Sequence, residues 1–256
     1  MARLDGGYAL AQVRLQARYG LRPVAPDWAA LEATGDLATA LGVLADWPAA
    51  RWVRPLGRRP VPREVERAVR RAWLDQVSET AAWLPRRDRA LVMWLGWLPW
   101  LPALQKLARG GRAPDWTRED PLLGPVVACD PERRAAALAR TGLAPLAGPI
   151  AAGEDPAAAW LAHWRTLWPD GGSLRRPLDA LVRDARGALD RLAELPPGSR
   201  SEPVIAGLRR RLAIGFRRHP LAPAGTVAWL GLRGLELRQL RGALVVRALS
   251  VPAGTP

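Results

Sequence analysis

A single cysteine, Cys129, stands in the whole chain. No disulfide framework and no thiolate zinc site can be assembled from it, and a reducing compartment is the expectation. Histidine is almost as scarce. His163 and His219 are far apart and share no HxxxH or HxxE spacing, so neither reads as a metal ligand. His163 reads as a partly buried, hydrogen-bonded side chain beside a tryptophan-rich helix face, and His219 as a cation at a helix end. No Gly-x-x-x-x-Gly-Lys-Ser/Thr loop is present, and Lys106, the only lysine, follows no glycine-rich turn, which argues against nucleotide hydrolysis. There is no Gly-x-Ser-x-Gly elbow, and Cys129 has no histidine close in sequence. The acidic pairs Glu119-Asp120 and Glu154-Asp155 sit at helix starts, where caps and solvated charge explain them. An enzyme is not expected, and no catalytic, cofactor-binding or metal-binding residue is assigned.

Long apolar runs are missing as well. The longest, Ala90 to Leu104, is interrupted by Pro99 and Pro102 and falls short of the ~20 residues a spanning helix needs. Met1 to Gly7 lacks the apolar core of a signal peptide. No transmembrane segment is expected. No stretch alternates with period two over a convincing length, and hairpin turn signals are absent, so strands are not expected either.

What the chain does have is length, apolar content and arginine. Its 256 residues are 49% apolar, enough for one large domain or two small ones. The formal charge is +14, carried almost entirely by arginine. Arginine, alanine, proline and tryptophan are abundant while Phe216 is the only phenylalanine, a bias that GC-rich codon usage produces without selection for charge. Basic runs such as Arg58-Arg59, Arg133-Arg134 and Arg209-Arg210-Arg211 are spread over nearly every helix. A nucleic-acid binder gathers them on one surface, so nucleic acid is the minor expectation. An acidic protein partner or anionic headgroups would use the same attraction at least as well. Trp94, Trp97 and Trp100 invite comparison with an interfacial membrane contact, but a helix end filling the core is the favoured reading.

The recurring signal is the capped amphipathic helix, and the fold expected is all-α, an irregular multi-helix bundle of two or three small lobes. Residues 1–250 are read as a single domain with a lobe boundary near 109–126, and 251–256 as a short tail. Gly7 to Tyr19 is the first helix. Asp27 and Asp36 are read as N-caps of Trp28 to Thr34 and Leu37 to Ala45. Pro62 opens a helix to Leu84 that buries Val65, Val69, Trp73 and Val77. Arg86 to Leu98 and Pro102 to Ala108 follow. Asp130-Pro131 and Asp155-Pro156 open helices to Arg140 and Trp168. Pro177 to Leu195 carries the stripe Leu178, Leu181, Val182, Ala185, Leu189 and Leu192, and Ser201 caps Pro203 to Arg218.

The last helix, Pro220 to Leu249, is the most informative. Trp229, Leu230, Leu237, Leu240 and Leu244 form one stripe, while Leu232, Leu235 and Val246 form a second, so neighbours are expected on both sides. Glu236 falls between the stripes and can stay ionised there only if a cation meets it. Arg233 at i−3 and Arg241 at i+5 are the nearest candidates, and Arg233 has the better helical geometry.

That helix resembles the C-terminal signature of the C/d-type coupling family of archaeal-type (A-type) and vacuolar-type (V-type) rotary ATPases. The shared features are Pro220 and Pro223, the pair Trp229-Leu230, and the run Glu236-Leu237-Arg238-Gln239-Leu240-Arg241, with Gln239 where asparagine is usual. Tyr8, Ala11, Val13 and Arg14 are similar to the family's opening helix, with Gln12 in place of an arginine. Leu37, Leu41, Leu44 and Trp47, then Val65-Glu66-Arg67-Ala68-Val69, and Leu98 to Arg109, resemble later segments. The chain is shorter than a typical member, which is built of three similar helical lobes, and is read as a shortened or divergent one.

The resemblance implies a non-catalytic coupling subunit that links the central stalk to the membrane proteolipid ring for proton or sodium transport. It implies a cytoplasmic protein in peripheral contact with the inner membrane face, whose partners are other rotary-ATPase subunits. Tyr8, Arg14, Trp229, Arg233, Glu236 and Arg241 are the structural or interface candidates it marks. A stand-alone helical adaptor of another membrane-associated assembly, and a basic nucleic-acid-binding protein, stay open beside it.

Overall fold

The computed structural model describes residues 6–57 and 59–250. The 251–256 tail, the start of the chain before Gly6 and Arg58 of the first basic doublet lie outside the described residues. The described residues are helical with no strand among them, an all-α fold. No helix among them is long and apolar enough to cross a membrane.

The chain forms two compact units. One joins the chain up to Val92 with the chain from Pro169 onward, and the other is Met93–Trp168. The 109–126 stretch lies inside the second unit. It has the glycine, proline and charge of a linker, but Asp120 is buried there and anchors it. One Asp120 carboxylate oxygen accepts from the Leu122 and Leu123 backbone N–H groups at 3.0 and 3.1 Å, and the other from the Trp100 indole at 3.1 Å.

The first unit begins with α1 (Gly6–Gly20), α2 (Ala25–Glu32), α3 (Leu37–Ala45), α4 (Ala50–Val53), α5 (Pro62–Ala82) and α6 (Arg86–Trp94), whose last two residues, Met93 and Trp94, belong to the second. Asp36 caps α3 as expected, accepting from the Thr39 N–H at 2.9 Å. Asp27 does not cap α2. That helix starts three residues earlier, after Val24, and the Asp27 carboxylate reaches back to the Val24 N–H at 2.7 Å. Pro26 in the first turn costs no hydrogen bond there, which permits the earlier start. Glu64 makes the same backward bond to Val61 at the head of α5, at 2.9 Å.

The second unit contains α7 (Leu101–Ala108), α8 (Gly124–Val127), α9 (Arg134–Leu138), α10 (Ala147–Ala151) and α11 (Pro156–Thr166), with short 3-10 turns between them. Pro99 converts the stretch after α6 to a 3-10 segment, Leu95–Trp100, where a continuous α-helix to Leu98 was expected. Two of the three tryptophans here are core and Trp97 is half-buried. Trp94 and Trp100 are buried, and the Trp94 indole donates to the Trp160 carbonyl at 3.1 Å. Trp160, Trp164 and Trp168 continue the ring packing, and His163 sets its edge on Trp94 with centroids 4.4 Å apart. Gly142 lies so close to Trp97 that a Cβ would sit 2.2 Å from the indole.

The chain then returns to the first unit with α12 (Gly172–Ala193), α13 (Glu202–Arg218) and α14 (Pro223–Leu249). α12 starts a turn before Pro177, and that proline, near the helix N-terminus, is carried inside. Leu178, Leu181 and Val182 of its stripe are buried, whereas Leu189 is exposed. α14 is the core helix of this unit, packed against α13, α5, α12 and α3. Every residue from Pro223 to Leu230 is buried. The second apolar stripe is covered only at its start: Leu232 is buried, Leu235 half-buried and Val246 exposed, because the neighbours do not extend along the whole helix.

Candidate functional site

Glu236 is 2% exposed. A carboxylate at that depth stays ionised only with compensation, and two guanidiniums supply it. Arg233, one turn earlier on α14, donates through one terminal nitrogen to Glu236 Oε2, while Arg22 donates through Nε to Oε1. Arg22 sits in the link between α1 and α2, 214 residues away in sequence. Each carboxylate oxygen therefore holds a different segment of the chain.

Aromatic rings complete the enclosure. The Arg233 guanidinium lies 4.2 Å from the Trp52 ring centroid and 5.2 Å from that of Trp229, geometry in which a ring face stabilises a desolvated cation. Arg22 lies 5.1 Å from the ring of Tyr19, which stacks on Phe216 of α13 at 4.9 Å. The cost is visible too: Arg233 Nε and Trp229 Nε1 are buried without a hydrogen-bond partner. Burial pushes the Arg233 pKa down to about 10, Glu236 opposes this, and Arg22, Arg51 and Arg18 add to the lowering. Arg233 remains a cation at neutral pH.

Glu79 on α5 holds a second pair of arginines. Arg18 donates to it at 2.7 Å and Arg51 at 3.0 Å. Arg51 also donates to the Gln76 side-chain oxygen at 3.1 Å, and Gln76 in turn to Thr80 at 3.3 Å. Hydrogen bonding to Arg18 is the main reason the Glu79 carboxyl lies below its ordinary range. Four guanidiniums thus share two carboxylates where α1, α4, α5 and α14 meet. The set contains no nucleophile and no proton donor poised near neutral pH, and its chemistry is cohesion.

The remaining candidates are dispersed through the same unit. Tyr8 donates its hydroxyl to the buried Asp88 at 3.0 Å, tying α1 to α6. Arg14 lies 5.5 Å from the Trp83 ring, which Arg18 also approaches at 4.6 Å. Arg241 does not reach Glu236; it donates to Glu66 of α5 at 2.6 Å from an exposed position. At i+5 the helix turns it away from Glu236 and toward α5. Gln239 accepts from Arg209 of α13 at 3.0 Å.

Sequence reasoning missed Arg22, Trp52 and the Glu79 set. Only α5 offered a signal, since Gln76, Glu79 and Thr80 place polar groups among its buried positions. Among the described residues, no group of three His, Cys, Asp or Glu side chains is arranged to hold a metal ion. No protein-family model matches the chain, and no curated protein matches it significantly.

Proposed function

We propose that this chain is a non-catalytic coupling subunit of a rotary ATPase of the V/A type, docking between central stalk and proteolipid ring for proton or sodium transport. One observation carries the reading. The opening-helix residues Tyr8 to Arg14 and the C-terminal Glu236 motif lie in one unit, where Arg22, just beyond that helix, pairs with Glu236 beside Arg233. A part that transmits torque by shape and charge needs such internal cohesion, and α14 with its buried ion pairs provides it. Peripheral contact with the cytoplasmic membrane face is part of the same proposal, consistent with a basic chain of formal charge +14.

Affinity purification of the tagged chain from its own cells, followed by peptide mass spectrometry, tests it. Stalk and proteolipid subunits should co-purify. Recovery of neither overturns the reading. The two compact units, against the three lobes of the family, favour a stand-alone helical adaptor as the second reading, and the same experiment would then return a different membrane-associated assembly.

A further inference from the structure

α3 runs for nine residues without a charged side chain. Apart from Thr39 its side chains are apolar, and such a helix is normally buried, yet α3 is covered on one side only. Leu37, Ala40 and Leu44 are buried. On the flank beside these, Ala38, Leu41 and Ala45 line a groove of about 540 Å³ together with Val53, Arg54 and Leu56. Ala38 and Ala45 are exposed and Leu41 half-buried.

The lining lacks the convergent polar groups that orient a small ligand. Small residues on a helix face instead allow close approach of another backbone, the pattern of a helix laid into a groove. Charge selects which helix. Between Leu37 and Pro62 the chain carries four arginines and one acidic residue, Asp46. Arg54 lines the groove and Arg59 is exposed near it in the chain, whereas Arg51 is already paired with Glu79.

We propose that the groove between α3 and the segment from α4 to Leu56 docks a helix of a partner protein, leucine-rich on one face and flanked by Asp or Glu. The apolar face fills the groove, and the flanking carboxylates meet Arg54 and its basic neighbours. A lysine-flanked helix of equal hydrophobicity is rejected by the same arginines. The inference stands apart from the coupling role and does not need it.

The probe is a fluorescein-labelled synthetic helix of about 15 residues, with leucine on one face and glutamate elsewhere, titrated with the full chain by anisotropy. Its counterpart carries lysine for glutamate. The glutamate helix should bind, weakening roughly tenfold from low to high salt, and the lysine helix should not. Ala38→Trp, which fills the groove from an exposed position, should cut binding at least about tenfold at unchanged melting temperature. Arg54→Glu should weaken the glutamate helix and admit the lysine one. Equal binding of both helices, or binding that survives Ala38→Trp, overturns the proposal. So does a concentration-dependent dimer that Ala38→Trp dissolves, which makes a second copy the occupant. Tighter binding after removal of residues 251–256 would assign the groove to the chain's own end and overturn it equally.

Discussion

Glu236 shows how one side chain can hold two distant segments. Its carboxylate is almost fully desolvated, and Arg22 and Arg233 each take one oxygen. Removing one partner from a buried ion pair leaves an uncompensated charge, which costs about 3–5 kcal/mol, whereas removing both is far milder. Glu236→Gln should therefore destabilise the chain by about 3 kcal/mol or more in urea unfolding, since two cations lose their counter-charge. Arg22→Met should cost less, because Arg233 still compensates the carboxylate. A double-mutant cycle between positions 22 and 236 should show strong coupling, and additive costs would remove Arg22 from the lock. The Arg233 contact was legible in the sequence because residues three apart on a helix are neighbours. Arg22 was not, since no local rule relates residues 214 positions apart.

At the level of the element, α14 owes its place to what is missing from it as much as to its leucines. Gly225 lies where a Cβ would stand 2.2 Å from the His219 carbonyl oxygen at the end of α13. The turn between the two helices is tight enough that Leu221 takes a positive φ of 59°, unusual for a residue with a Cβ. Gly225→Ala should cost about 1–3 kcal/mol by forcing the helices apart, outweighing the better helix propensity of alanine. Gly242 on the same helix has nothing within 4 Å, so Gly242→Ala should instead stabilise by up to about 1 kcal/mol. Opposite signs in thermal melts check the pair, and equal signs would mean that propensity alone governs this helix. Helix positions were largely legible from proline, capping residues and apolar stripes. Ends were less so: Asp27 reads equally well as a cap or as a third residue bonding backward, and only the path of the preceding chain chooses.

Across the molecule, stability should fall in two steps on acidification. Burial lowers the pKa of His163 below its ordinary 6.5, and burial with Arg218 does the same for His219. Below that value the unfolded chain takes up protons that the folded chain resists, so stability drops as pH falls through about 6.5. The carboxylates of Glu79, Asp155 and Asp36 also lie below their ordinary 4.5 and 3.8, held by Arg18, Gln105 and Thr39 respectively. Their contribution is present above those values and is lost below them. Melting temperature measured from pH 8 to 3 should be flat at the top, decline near 6, and decline again below about 4.5. His163→Gln should flatten part of the upper step, and a melting temperature that rises between pH 7 and 5.5 would contradict the assignment. A chain of formal charge +14 gains further self-repulsion as its carboxylates protonate, which steepens the lower step.

The sequence by itself determined the all-α class, the placing of most helices and the partnership of Arg233 with Glu236, because periodicity, capping and i,i+3 proximity act over a few residues. Tertiary structure decided the rest. It brought Arg22 to the Glu236 carboxylate and Trp52 over the Arg233 guanidinium, turned Arg241 away to Glu66, and drew 109–126 into a unit through the buried Asp120. It also left one side of α3 uncovered as a groove. Long-range charge pairing and groove shape depend on which surfaces meet, and burial sets their energies only once the chain has closed on itself.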